Sequence, residues 1–187
     1  MGDTNSDLQS KINRAIRALL MAAGAAVVGD TYAPPDGEGR TLPNTTVETL
    51  DGMEMTECPG LWRFPQVLLN LRDEAVAQPD EPSANAMWVA ANARFSRIVS
   101  ALTQTDTGTD YRVTAVAITQ AGNALAVSDG TPEGDQRAKD NADMADFTIQ
   151  YWRPVSLPGA KKTGSDKETF WERELTFECV ACGAAVG

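Results

Sequence analysis

The stretch FWERELTFECV (170–180) constrains this chain more than any other, because its alternation fits a strand with one buried face. Leu175, Phe177, Cys179 and Ala181 fall on one side of an extended backbone, and Glu174, Thr176, Glu178, Val180 and Cys182 on the other. A second strand, FTIQYWRPVS (147–156), precedes it, with LPGAKKTGSDKET (157–169) between. Together they form a long hairpin with a tip of about 13 residues, a length usually reserved for function or mobility. Trp152 and Trp171 are then expected across or diagonal to each other as a cross-strand pair. Glu172, Glu174 and Glu178, with Arg173 among them, read as the charged face of an edge-exposed strand, suited to solvent or to an inter-chain contact rather than acid–base catalysis.

Cys179 and Cys182 stand at Cys-x-x-Cys spacing. A thioredoxin-type pair needs a helix N-terminus to lower the thiol pKa, and only five residues follow Cys182 in this sequence. A zinc site needs four ligands, and the chain offers three cysteines and no histidine. Strand alternation also points the two sulfurs apart. The pair therefore reads as structural. The lack of histidine removes Ser-His-Asp and Cys-His catalysis as well. A net charge of −10 argues against a nucleic-acid binder, which needs clustered Lys and Arg. The low, odd cysteine count suits a reducing cytoplasm.

The 187 residues suit a single domain, 1–187, with long loops at about 30–44, 129–146 and 157–169. Ser6 and Gln9 read as a capping box for a helix over about 7–23. Leu8, Ile12, Ala15, Ile16, Leu19 and Ala23 line its apolar face, and Gly24 stops it. The run ALLMAAGAAVVG behind Lys11, Arg14 and Arg17 imitates a signal peptide but is too short to span a bilayer, which takes about 20 residues. MGDTNS fits the myristoylation pattern loosely, without a basic second anchor.

Short strands are expected at 45–50 and 53–57, and a firmer one at 64–72. Its Val67, Leu69 and Leu71 share a face, and Pro65 sits at its start. A second helix begins near Ser83 or Ala84, with Trp88, Ala91, Phe95, Ile98 and Leu102 as its buried stripe and Arg94 on another face. YRVTAVAIT (111–119) and NALAVSD (123–129) read as a hairpin. The acidic stretch 129–146 reads as a surface loop with a short helix near 136–145, and it lacks the ligand order of a calcium loop. The expected fold class is α+β: a mixed or antiparallel sheet packed by two main helices, with the long C-terminal hairpin.

These elements, in this order, resemble the tail terminator (tail completion) and head–tail neck proteins of long-tailed bacteriophages. The likeness is carried by the opening helix SDLQSKINRAIRALLMAAG, the strand FPQVLLNL, the mid-chain helix and the closing pair FTIQYWRPV and WERELTFECV. The long insertion at 30–63 and the acidic loop depart from the compact family pattern.

The resemblance implies a non-enzymatic virion protein, assembled in the bacterial cytoplasm, with no cofactor or metal. It implies a homo-oligomeric ring, commonly six-fold, that ends the tail tube and meets the connector, while DNA passes through without specific binding. The 157–169 arm and the strand edges are then expected to join the copies. Lys161, Lys162, Lys167, Trp171, Glu172, Arg173 and Glu174 are the candidate interface residues. A head-side connector or tail tube subunit is the nearest alternative. A small cytoplasmic enzyme or metal-binding protein using Cys179 and Cys182 is the alternative of another class.

Overall fold

The computed structural model describes residues 5–24, 42–75, 81–164 and 169–183. Along the chain run α1 (Asn5–Ala22), β1 (Asn44–Thr49), β2 (Met53–Glu54), β3 (Trp62–Ala75), α2 (Glu81–Leu102) and α3 (Arg112–Leu125). There follow α4 (Pro132–Asp140), a 3-10 turn (Ala142–Met144), β4 (Thr148–Ser156), β5 (Lys161–Gly164) and β6 (Thr169–Cys182). The fold is α+β, and all the strand pairings are antiparallel.

β3 and β6, 14 residues each, occupy the middle of the sheet. β1 and then β2 lie along the outer side of β3, while β4 and then β5 lie along the outer side of β6. Each edge of the sheet is thus made of two consecutive, interrupted pieces of chain. β6 is a central strand, not the edge strand expected. The expected strand at 53–57 reduces to Met53–Glu54, and β5 takes up part of the expected open tip.

The register makes the core one-sided. Leu69 faces Leu175, Val67 faces Phe177 and Phe64 faces Cys179, and all six are buried. Pro65 lies inside β3 rather than at its start, at a register shift between Phe64 and Val67 where an absent N–H does no harm. Trp152 stacks on Phe177 at 4.8 Å and donates its indole N–H to the Leu102 carbonyl at 2.9 Å. It is therefore far along β6 from Trp171, which pairs with Lys162 and meets Trp88 of α2 at 4.6 Å. The expected Trp152–Trp171 pair does not form.

Helices cover the apolar face. α1 buries Leu8, Ile12, Ala15, Ile16 and Leu20, and ends before Gly24, whose φ of 61° favours glycine. Ser6 lies within the helix instead of capping it. α2 buries Ala91, Phe95, Ile98 and Leu102, as their spacing predicts. Arg94 departs from expectation: it is buried, not on an outer face. Its guanidinium donates to the Asn44 carbonyl at 2.8 Å, the Arg72 carbonyl at 3.1 Å and the Asp73 carboxylate at 3.0 Å. One side chain thus ties α2 to β1 and β3. Burial lowers the Arg94 pKa, and Asp73 opposes that shift.

The expected hairpin at 111–129 is instead α3, a third packing helix. Its residues satisfy two periods at once. The alternation of Val113, Ala115 and Ala117 suggests a strand, but Thr114, Ala115, Ile118 and Gly122 share one helical face and are buried. Packing decided the matter. A β-carbon at Gly122 would sit 2.9 Å from that of Ala15 and 3.1 Å from the Phe147 ring, so glycine lets α1 and α3 approach closely. Thr119 locks the helix to the sheet by accepting from the Ile149 N–H at 2.9 Å.

The acidic stretch is also more ordered than a loop. Thr131 caps α4 by accepting from the Gly134 N–H at 3.0 Å, and Pro132 fills the first turn.

Two outcomes follow. Gly122→Val should cost at least about 2 kcal/mol in urea unfolding, because overpacking outweighs any gain in helix propensity; in an exposed hairpin turn it would be nearly neutral. Arg94→Met should cost about 3 kcal/mol, since it leaves two carbonyls and Asp73 without their buried donor.

Candidate functional site

The face of the sheet away from the helices is where function can reside. Strand alternation sends Asn70 and Arg72 of β3, and Glu172, Glu174 and Glu178 of β6, to this outer face, opposite Leu69, Leu71, Leu175 and Phe177. Two of the glutamates are nevertheless buried, each at 7% exposure, because cations from neighbouring strands close over them.

Glu172 accepts from Asn70 Nδ2 at 3.1 Å and Arg72 Nε at 3.0 Å on one oxygen. Thr163 of β5 reaches its other oxygen at 3.4 Å, with Lys161 at 3.9 Å. Arg72 in turn lies over the Phe170 ring at 4.8 Å. Burial alone would raise the Glu172 pKa, but Asn70, Arg72 and Lys161 together outweigh it and hold the carboxyl below the usual glutamate range. Glu178 sits between Arg153 of β4 at 2.7 Å and Arg63 of β3 at 3.3 Å. Each carboxylate thus joins three strands across the sheet. They are charge-paired cross-ties between strands.

The interface residues named from sequence are divided by this geometry. Trp171 points to the helical side and packs on Trp88. Arg173 donates to the Pro158 carbonyl at 2.7 Å, pinning the turn before β5. Glu172 is engaged inside the sheet. Lys161, Lys162 and Glu174 are exposed, with Lys161 4.0 Å from Glu174. Lys167 lies outside the described residues. Reading β6 alone missed the partners of its glutamates, namely Asn70, Arg72, Arg63 and Arg153. The alternation of Asn70 and Arg72 with Leu69 and Leu71 held that signal.

Cys179 and Cys182 are both buried, unbonded and on opposite sides of β6. Burial among apolar groups pushes the Cys179 thiol well above its usual range, opposite to what a nucleophile or metal ligand requires. Among the described residues no group of three or more His, Cys, Asp or Glu comes together to hold a metal, and no helix is long and apolar enough to cross a membrane. Four carboxylates of the acidic stretch have partners: Asp129 with Thr131 and Arg137, Asp135 with Ser128, Asp140 with Gln136, and Asp143 with Arg14 of α1.

The clamp on Glu172 sets a pH signature. Its depressed pKa contributes stability that is full above the unfolded glutamate value, about 4.3, and is lost as pH falls through the lower folded value. Glu172→Gln should therefore be less stable than the parent by about 1–2 kcal/mol at pH 7, with the gap closing as pH falls below the usual glutamate range; urea midpoints measured from neutral to acid pH test it. For the thiols, native protein should take up a maleimide rapidly at exposed Cys58 and resist it at Cys179 and Cys182, while denatured protein labels at all three. Mass spectrometry reads both.

No protein-family model and no curated protein matches the chain.

Proposed function

We propose that this chain is a structural virion protein of a bacteriophage neck or tail, a tail terminator that forms a ring on the end of the tail tube and offers its other side to the head-side connector. One observation carries the reading: the closing segments expected from the resemblance lie side by side as β4 and β6, and β5 extends the same edge as a short arm bearing Lys161 and Lys162. That arrangement gives a sheet with one face packed by helices, one open polar face, and edges that can meet other copies. The acidic balance of −10 gives a ring whose lumen does not hold passing DNA.

The terminator reading makes a demand that a tube subunit does not. A terminator ring must present two different ends, so that it adds once and stops. Purified protein should therefore reach a single closed ring by mass photometry and negative-stain imaging, and should not stack when concentrated. Stacks or tubes would favour a tail tube subunit. A monomer at every concentration up to hundreds of micromolar would sink the ring reading.

A further inference from the structure

The two edges of the sheet carry opposite charge. Residues 44–60, which build the β1–β2 edge, include Glu48, Asp51, Glu54 and Glu57 and no Lys or Arg. Residues 148–164, which build the β4–β5 edge, include Arg153, Lys161 and Lys162 and no Asp or Glu. All seven side chains are exposed, although Arg153 and Lys161 also face the β6 glutamates Glu178, Glu172 and Glu174. Among the described residues no strand pairs outside either edge.

Each edge also exposes apolar groups: Met53 on the acidic side, and Tyr151, Val155 and Leu157 on the basic side. Beside Met53 the surface dips into an open depression of about 270 Å³, bounded by Met53, Glu54, Met55, Thr56, Glu57 and Arg63. Apolar centres with charged margins are the make-up of a contact surface, and their charges are of a sign to attract.

We propose that the basic β4–β5 edge of one copy docks on the acidic β1–β2 edge of the next. The occupant of each edge is a second copy of this chain, because the complementary patch is present on every copy. The two patches differ, so the contact is heterologous. Every open chain of copies keeps one edge of each kind, and growth stops only when rotation closes a ring. β4 is interrupted by Pro154 and by two register shifts, so side chains, not a continuous backbone ladder, carry the join. The proposal rests on the ring reading above and specifies its joint.

Charge reversal on the full-length chain tests it, with sedimentation or mass photometry as the readout and melting temperature as the check on folding. Glu48→Lys with Glu54→Lys and Glu57→Lys leaves Asp51 as the one acid of residues 44–60 and makes both edges basic. Lys161→Glu with Lys162→Glu makes both acidic. Each variant alone should self-associate at least about tenfold more weakly than the parent. An equimolar mixture of the two should assemble again, with the variants alternating. Parent assemblies should weaken between about 50 mM and 500 mM salt, as exposed charge is screened. If either variant loses its fold, Glu57→Lys and Lys162→Glu replace them, and each should weaken self-association in smaller degree.

Folded variants that assemble like the parent would overturn the edge joint and leave the ring reading standing. Open chains that respond to reversal and are restored by mixing would support the joint and overturn the closed ring. A parent that stays monomeric would overturn both.

Discussion

The pairing of β3 with β6 is the constraint on which the rest of this protein depends. Leu69 opposite Leu175 and Val67 opposite Phe177 assign every apolar side chain of the central ladder to one face. A slip by one residue would turn that set to solvent and bring Asn70, Arg72 and the glutamates against the helices. The cost would be several buried charges without partners, far beyond the few kcal/mol of net stability a domain possesses. The register shift at Pro65 is tolerated because it comes between two core positions, Phe64 and Val67, and leaves both facing inward. Helix placement follows from this choice, since only one face of the sheet offers apolar surface to cover.

The outer face solves a different problem. A sheet with one face open must keep that face wet, yet strand spacing crowds its side chains together. Glu172 and Glu178 are crowded enough to lose most of their water. They are retained because each meets cations from the strands on either side, Arg72 and Lys161 for one, Arg63 and Arg153 for the other. Buried pairs of this kind add little net stability over apolar substitutes. What they do is fix lateral order: β6 cannot exchange neighbours without leaving a carboxylate stranded. Arg94 plays the same part on the helical side, where its bonds to the Asn44 and Arg72 carbonyls hold α2 to two strands at once.

Much of this was legible in the sequence wherever one period dominated. α1, α2, β3 and β6 each carry a stripe of large apolar residues at a single spacing, and the structure buries most of each stripe. Strand alternation alone separated Cys179 from Cys182. The reading failed where two periods coexist or where small residues do the packing. Between 111 and 125 the alternation of Val113, Ala115 and Ala117 outweighs the helical set Thr114, Ala115, Ile118 and Gly122 by eye, but Gly122 contributes by lacking a side chain, through the close approach of Ala15, and no hydrophobicity pattern records that. Arg94 was hidden for a related reason. A charge on an amphipathic helix belongs outside by default, and only the backbone carbonyls of distant strands make an inward position tolerable. The candidate site was legible in part: residue types on β6 were visible, while their cross-strand partners depended on a register that one strand cannot reveal.

Open sheet edges are hazardous, because unpaired backbone groups accept almost any passing strand. This chain breaks both of its edges. β1 is six residues long and is followed by the two-residue β2, while β4 is disturbed by Pro154 and followed by the four-residue β5. Each break shortens the ladder available to a stray strand and so removes the least discriminating source of affinity. What remains at the edges is side-chain chemistry, and there the two differ: acidic along one, basic along the other. Specificity is a difference between affinities, so suppressing the backbone contribution common to all partners raises the weight of charge sign in choosing among them. An acidic edge repels its own like and a basic edge does the same, which disfavours the two symmetric pairings and leaves the head-to-tail one. In the joint proposed above, the interruptions in the sheet edges limit indiscriminate backbone pairing, and the charge signs set the polarity with which copies meet.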